Sequence, residues 1–150
     1  MSEIRPAEPV KLICGIIAGD EARHEQAYKL FMKKIFEIDT HNAIRAFGTM
    51  MKRKIVMPAV LMRDAVEDNL FTKFSRVAQR TGVYTAHDYA EIIEDLVQHW
   101  KIPTLSGLSG MAAEAQDYLC GLAARYRAIA DRVIVNDPTT FSWVYGRAVV

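Results

Sequence analysis

The chain has 150 residues, 51% hydrophobic and 25% charged, and its 19 basic side chains nearly cancel 18 acidic ones for a net charge of +1. This length suits one ordinary domain with a buried core, and the balanced charge argues against a generic nucleic-acid binder. The longest apolar runs, residues 12–19 and 55–62 with Pro58 inside, fall well short of the ~20 residues of a membrane span. Cys14 and Cys120 lie too far apart to suggest a disulfide scaffold, which fits a reducing compartment.

Residues 1–9 carry three charges and two prolines, a leader with neither the apolar core of a secretory signal nor the Arg/Ser-rich character of a transit peptide. A first helix is expected over residues 10–38, with Pro9 in its first turn and Ile13, Ile17, Tyr28, Phe31 and Ile35 in one narrow arc at ~100° per residue. Gly15 and Gly19 lie on another face, where each costs roughly 1 kcal/mol against alanine and allows close helix packing. A second helix runs from about residue 42 towards 62, rich in methionine, with Pro58 kinking or ending it near Met57. A third covers 69–79 and is closed by Gly82. Thr85, with Asp88 three residues on, caps a fourth that ends before Pro103. Ser109 caps a last long helix through Met111, Tyr118, Tyr126 and Ile129. Asp137-Pro138 then breaks the chain, and residues 134–150 form a tail in which Phe141 to Tyr145 is the one strand-like stretch. The expectation is therefore an all-α fold of about five helices over residues 10–133.

Chemistry concentrates at Glu21 and His24. Glu-x-x-His on a helix sets a carboxylate and an imidazole on one face, one turn apart. In ferritin-like carboxylate proteins two such pairs and two further glutamates bind two metals within a four-helix bundle. Nine glutamates and four histidines would produce this spacing by chance in roughly one such chain in four, so context must carry it. Here both residues continue the stripe Ile13, Ile17, Glu21, His24, Tyr28, Phe31, Ile35. A carboxylate on a core-facing stripe is costly unless paired or bound to metal. The competing reading is an edge-exposed stripe with Glu21 bonded to Arg23 or to solvent. No Glu lies three residues before His41, His87 or His99, and there is no nucleophile elbow, phosphate loop or dinucleotide fingerprint. The basic residues Lys33-Lys34 and Lys52-Arg53-Lys54 read as solvated helix faces.

The segment Asp20-Glu21-Ala22-Arg23-His24-Glu25, with Ala27-Tyr28 and Lys34-Ile35-Phe36-Glu37-Ile38-Asp39, resembles the second metal-ligand helix of the plant soluble acyl-[acyl-carrier-protein] desaturases. The resemblance continues through Met50-Met51-Lys52-Arg53-Lys54-Ile55-Val56-Met57-Pro58-Ala59, Asp68-Asn69-Leu70-Phe71 and Val77-Ala78-Gln79-Arg80-Thr81-Gly82-Val83-Tyr84-Thr85-Ala86. It reaches Leu105-Ser106-Gly107-Leu108-Ser109, Ala115-Gln116-Asp117-Tyr118 and Phe141-Ser142-Trp143. It implies the C-terminal part of a ferritin-like di-iron bundle, from a homodimeric enzyme of the chloroplast stroma. Such an enzyme uses dioxygen and ferredoxin electrons to place a cis double bond in a saturated acyl chain on acyl carrier protein, a step of fatty acid biosynthesis. Carried over by position, Glu21 matches a bridging iron ligand, His24 a terminal one, and Asp20 an acidic neighbour that orients the imidazole. No other residue is assigned a catalytic or cofactor-binding role.

The departures are as informative. Only the C-terminal half of the family pattern is matched, so the first Glu-x-x-His and the two single glutamates are missing. Val60 stands for a family histidine, Arg63-Asp64-Ala65 for a Tyr-Asp-Gly type turn, and Ala123-Ala124 for a usual Pro-Pro pair. The expectation is a desaturase by family whose isolated chain is inactive. The alternatives are a non-catalytic truncated fragment and a helical module that pairs with a full-length desaturase subunit. The stripe on the first helix would then face the missing helices and lie exposed.

Overall fold

The computed structural model describes residues 7–53, 61, 63, 69–132, 141–143 and 147–149. Helix α1 spans Ala7–Ile38, α2 Thr40–Lys52, α3 Leu70–Thr81, α4 Ala86–His99, α5 Met111–Cys120 and α6 Leu122–Ala130. Two short strands, β1 at Phe141–Trp143 and β2 at Arg147–Val149, pair antiparallel with Phe141 opposite Val149. The fold is all-α, as expected of part of a ferritin-like desaturase.

Local chemistry sets the boundaries. Asp39 separates α1 from α2 because its carboxylate accepts the Asn42 backbone N–H at 3.1 Å, so α2 begins at Thr40, two residues before the expected start. Its described part ends at Lys52; Ile55, Met57 and Pro58 lie outside the described residues. Gly82 closes α3 with φ +69°, and the Val83 N–H returns to the Ala78 carbonyl at 2.9 Å, the left-handed ending that glycine allows. Thr85 and Asp88 form a reciprocal capping box on α4. The expected Ser109 cap is corrected. Gly110 occupies the cap position with φ +52°, and the Ala112 N–H meets the Ser109 carbonyl instead of its hydroxyl. The last helix also divides at Gly121, but the backbone there stays right-handed and the Arg125 N–H reaches the Gly121 carbonyl, so α5 and α6 continue one path. On that count the expected five principal helices are present.

The core lies where α2 meets α5 and α4 meets α6. Ile44, Ile93, Ile102 and Leu119 are its fully buried side chains, joined by Phe36, Phe47, Val97 and a run of alanines. Small residues let the backbones close in: a Cβ added to Gly48 would sit 3.1 Å from the Ala115 Cβ. Trp100 packs between Phe36, 5.8 Å away, and the edge of Phe47, 5.2 Å away. Gln116 Nε2 donates to the carbonyls of Ile102 at 2.8 Å and Leu105 at 2.9 Å, pinning the connection between α4 and α5.

Candidate metal-ligand helix

Helix α1 reaches the core only through its C-terminal half. Phe36 is buried and Met32 packs against the core. Lys29 is the anchor. Its ammonium, 16% exposed, lies 2.6 Å from Glu25 Oε1 on its own helix and 2.5 Å from Asp95 Oδ2 on α4. Hydrogen bonds to Asp95 and then Glu25 push its pKa above the usual lysine value. The Trp100 indole N–H donates to the Lys29 carbonyl, 3.1 Å away.

Glu21 and His24 stand two turns and just over one turn before this anchor. His24 Nδ1 lies 3.5 Å from Glu21 Oε2, with the two side chains 62% and 71% exposed. The helix therefore delivers the pair on one face, as the spacing predicts. The stripe they interrupt is exposed along its whole length: Ile13, Ile17, Tyr28, Phe31 and Ile35 all face outward. The edge-exposed alternative thus describes the stripe, but Glu21 meets His24 and not Arg23. Arg23 instead bonds Asp20, the acidic neighbour in the same turn.

Glu21 and His24 are by themselves fewer donors than a pair of irons takes. Ferritin-like di-iron sites draw on about six protein ligands, and among the described residues no three His, Cys, Asp or Glu side chains converge as a metal cluster. Glu21 and His24 are one carboxylate and one imidazole, a third of that set. Of the other histidines, His87 Nε2 is 3.3 Å from Asp131 Oδ1, and the His99 ring centroid lies 6.4 Å from that of its neighbour Trp100. The clasp around Lys29 was not anticipated from sequence. The Glu25–Lys29 spacing of four was its one local signal, whereas Asp95 and Trp100 arrive only with the fold.

The described residues are predominantly helical, and α1 sets a carboxylate and an imidazole one turn apart. Comparison with known proteins identifies the family. A family model described as fatty acid desaturase matches residues 5–145, so the chain belongs to the fatty acid desaturase family. Stearoyl-[acyl-carrier-protein] 9-desaturase 2, chloroplastic, from Oryza sativa subsp. indica is 56% identical over 141 residues, covering 91% of this chain and 36% of the relative. The chloroplastic stearoyl-[acyl-carrier-protein] 9-desaturase of Helianthus annuus is 54% identical over 143 residues with the same coverage. That of Olea europaea is 52% identical over 141 residues. The chain thus spans just over a third of the length of these relatives. Among the described residues no helix is long and apolar enough to cross a membrane.

Proposed function

We propose that this chain is a single partial domain of an acyl-[acyl-carrier-protein] desaturase of the stearoyl 9-desaturase kind, contributing one Glu-x-x-His pair to a di-iron centre. Glu21 would hold iron there through its carboxylate and His24 through its imidazole. Asp20 takes the orienting role once it exchanges Arg23 for the imidazole. The complete enzyme would act as a homodimer in the plastid stroma, drawing electrons from ferredoxin and its substrate from acyl carrier protein. The observation that supports this reading is the placement of Glu21 and His24 on one helical face with both donor groups turned outward. The half-pattern of the chain, and relatives named as chloroplastic stearoyl desaturases, support the same assignment.

Glu21 and His24 offer one carboxylate towards the charge of two ions, and pairing two copies would add only a second such pair. The chain is therefore inactive by itself. The exposed stripe favours a second role, as a helical module that pairs with a full-length desaturase subunit, over that of an inert fragment. The test is iron per chain after anaerobic reconstitution, alongside desaturation of acyl-carrier-protein substrates with ferredoxin. The expected result is fewer than two irons and no turnover, with co-purification when a full-length subunit is present. Two tightly held irons with turnover, both lost in Glu21→Ala or His24→Ala, would overturn it.

A further inference from the structure

Tyrosines gather where α4 meets α6. Tyr89 lies on α4, Tyr126 on α6, Tyr118 on α5, and Tyr84 just before α4. Tyr89 and Tyr126 are in ring contact: their centroids are 4.8 Å apart and their planes cross at 82°. Both are half-buried and pack against the core. Burial raises the Tyr89 pKa first, and Tyr126, Tyr84 and Tyr118 add to it, so its phenol stays protonated at neutral pH. Tyr118 differs from the pair. Lys52 Nζ sits 4.9 Å from its ring centroid and the Arg125 guanidinium carbon 5.5 Å. Two cations drawn to one ring oppose removal of an electron from it. Among the described residues no such cation contact occurs at Tyr89 or Tyr126. The contacting pair is therefore the easier place in the cluster to lose electrons.

We propose that Tyr89 and Tyr126 form an oxidative cross-linking site, at which a diffusible one-electron oxidant joins α4 to α6 through a dityrosine bond. Each phenol gives one electron to the oxidant and its hydroxyl proton to water. The two phenoxyl radicals couple, forming one carbon–carbon bond between ring carbons ortho to the hydroxyls. Each of those carbons then releases its hydrogen as a proton while a proton returns to each oxygen, which restores both phenols. The net change is the loss of two electrons and two protons. Because the rings are already in contact, the radicals meet without a diffusional encounter and the coupling is effectively unimolecular. Thiol reductants leave a carbon–carbon link intact, which separates it from any disulfide of the free thiols Cys14 and Cys120.

The test is brief illumination of the whole chain at high dilution with tris(bipyridyl)ruthenium and persulfate, which takes up the two electrons and becomes two sulfates. The expected product runs as a monomer under reducing, denaturing conditions, is two hydrogens lighter than the parent and carries dityrosine fluorescence. Trypsin should release residues 81–101 joined to residues 126–127. Tyr89→Phe and Tyr126→Phe keep the rings that pack against the core, and each should lower the yield of this product at least about 10-fold. Tyr28→Phe, at an exposed position of α1, should leave it unchanged. Dityrosine confined to cross-linked dimers, a monomeric link that persists in either the Tyr89 or the Tyr126 variant, or no dityrosine at all would overturn the proposal.

Discussion

The Trp100 indole N–H donates to the carbonyl of Lys29, 3.1 Å away and 71 residues earlier in the chain. Because Trp100 also packs between Phe36 and Phe47, one side chain ties α1 to α2 and to the end of α4.

Trp100→Phe keeps an aromatic ring between those neighbours and removes the donor. It should cost about 1 kcal/mol, plus a smaller packing loss. Urea unfolding followed by far-ultraviolet circular dichroism measures it. A midpoint equal to that of the parent chain would show that the hydrogen bond contributes nothing.

Stability should fall at both ends of the pH range. Lys29 has a raised pKa, so its contribution is complete below the ordinary lysine value of 10.5 and is lost as pH rises through the higher folded value. Burial raises Tyr89 and Tyr118 above 10.0, and these too favour the fold only until the unfolded chain begins to ionise. At the acid end, the Thr85 hydroxyl and backbone N–H hold the Asp88 carboxyl below its usual range, as Asn42 does for Asp39. Those contributions are present above about pH 4 and are lost as pH falls through the lowered values. Melting temperature against pH should form a plateau, and Lys29→Met should flatten its alkaline edge.

Gln116→Ala should cost about 1–3 kcal/mol, since one amide supplies both the Ile102 and Leu105 carbonyls. Thr85→Ala should cost about 1 kcal/mol by undoing the α4 cap. The two sites are remote, so the double variant should show nearly additive losses in chemical denaturation.

Gly48→Leu should destabilise by about 2 kcal/mol or more, because even a methyl at that position comes to 3.1 Å from Ala115. Ala115→Gly in the same chain should recover part of the loss. Recovery absent from the double variant would place the strain elsewhere.

The exposed stripe should make the chain associate. Ile13→Lys with Phe31→Lys should shift sedimentation velocity profiles towards monomer at micromolar concentration. Profiles unchanged by the pair would show that association uses another surface.

Elements whose ends are written in local chemistry were readable from the residues. Thr85 with Asp88, and Gly82 after α3, act within four residues and appear where spacing places them. Ser109 misled because a glycine followed it: Gly110 takes a positive φ that a serine hydroxyl cap does not use. The Glu21–His24 pair was legible for the same reason as the caps, since one turn of helix brings the two together. The choice of Arg23 for Asp20 and the reach of Lys29 to Asp95 were not, because they depend on competition among exposed charges and on which helix lies alongside.

In mechanical terms the clasp at Lys29 is a fulcrum and the N-terminal run of α1 is a lever. At 1.5 Å per residue, Glu21 lies about 12 Å out and Val10 about 29 Å. A swing of about 5° would carry Glu21 by about 1 Å and Val10 by about 2.5 Å. Functional constellations tolerate roughly 0.5 Å, so the clasp must hold the helix to within about 2–3° for Glu21 to keep its station. Seating Glu21 and His24 near the pivot confines the demand for angular accuracy to the few atoms of Lys29, Asp95 and Trp100.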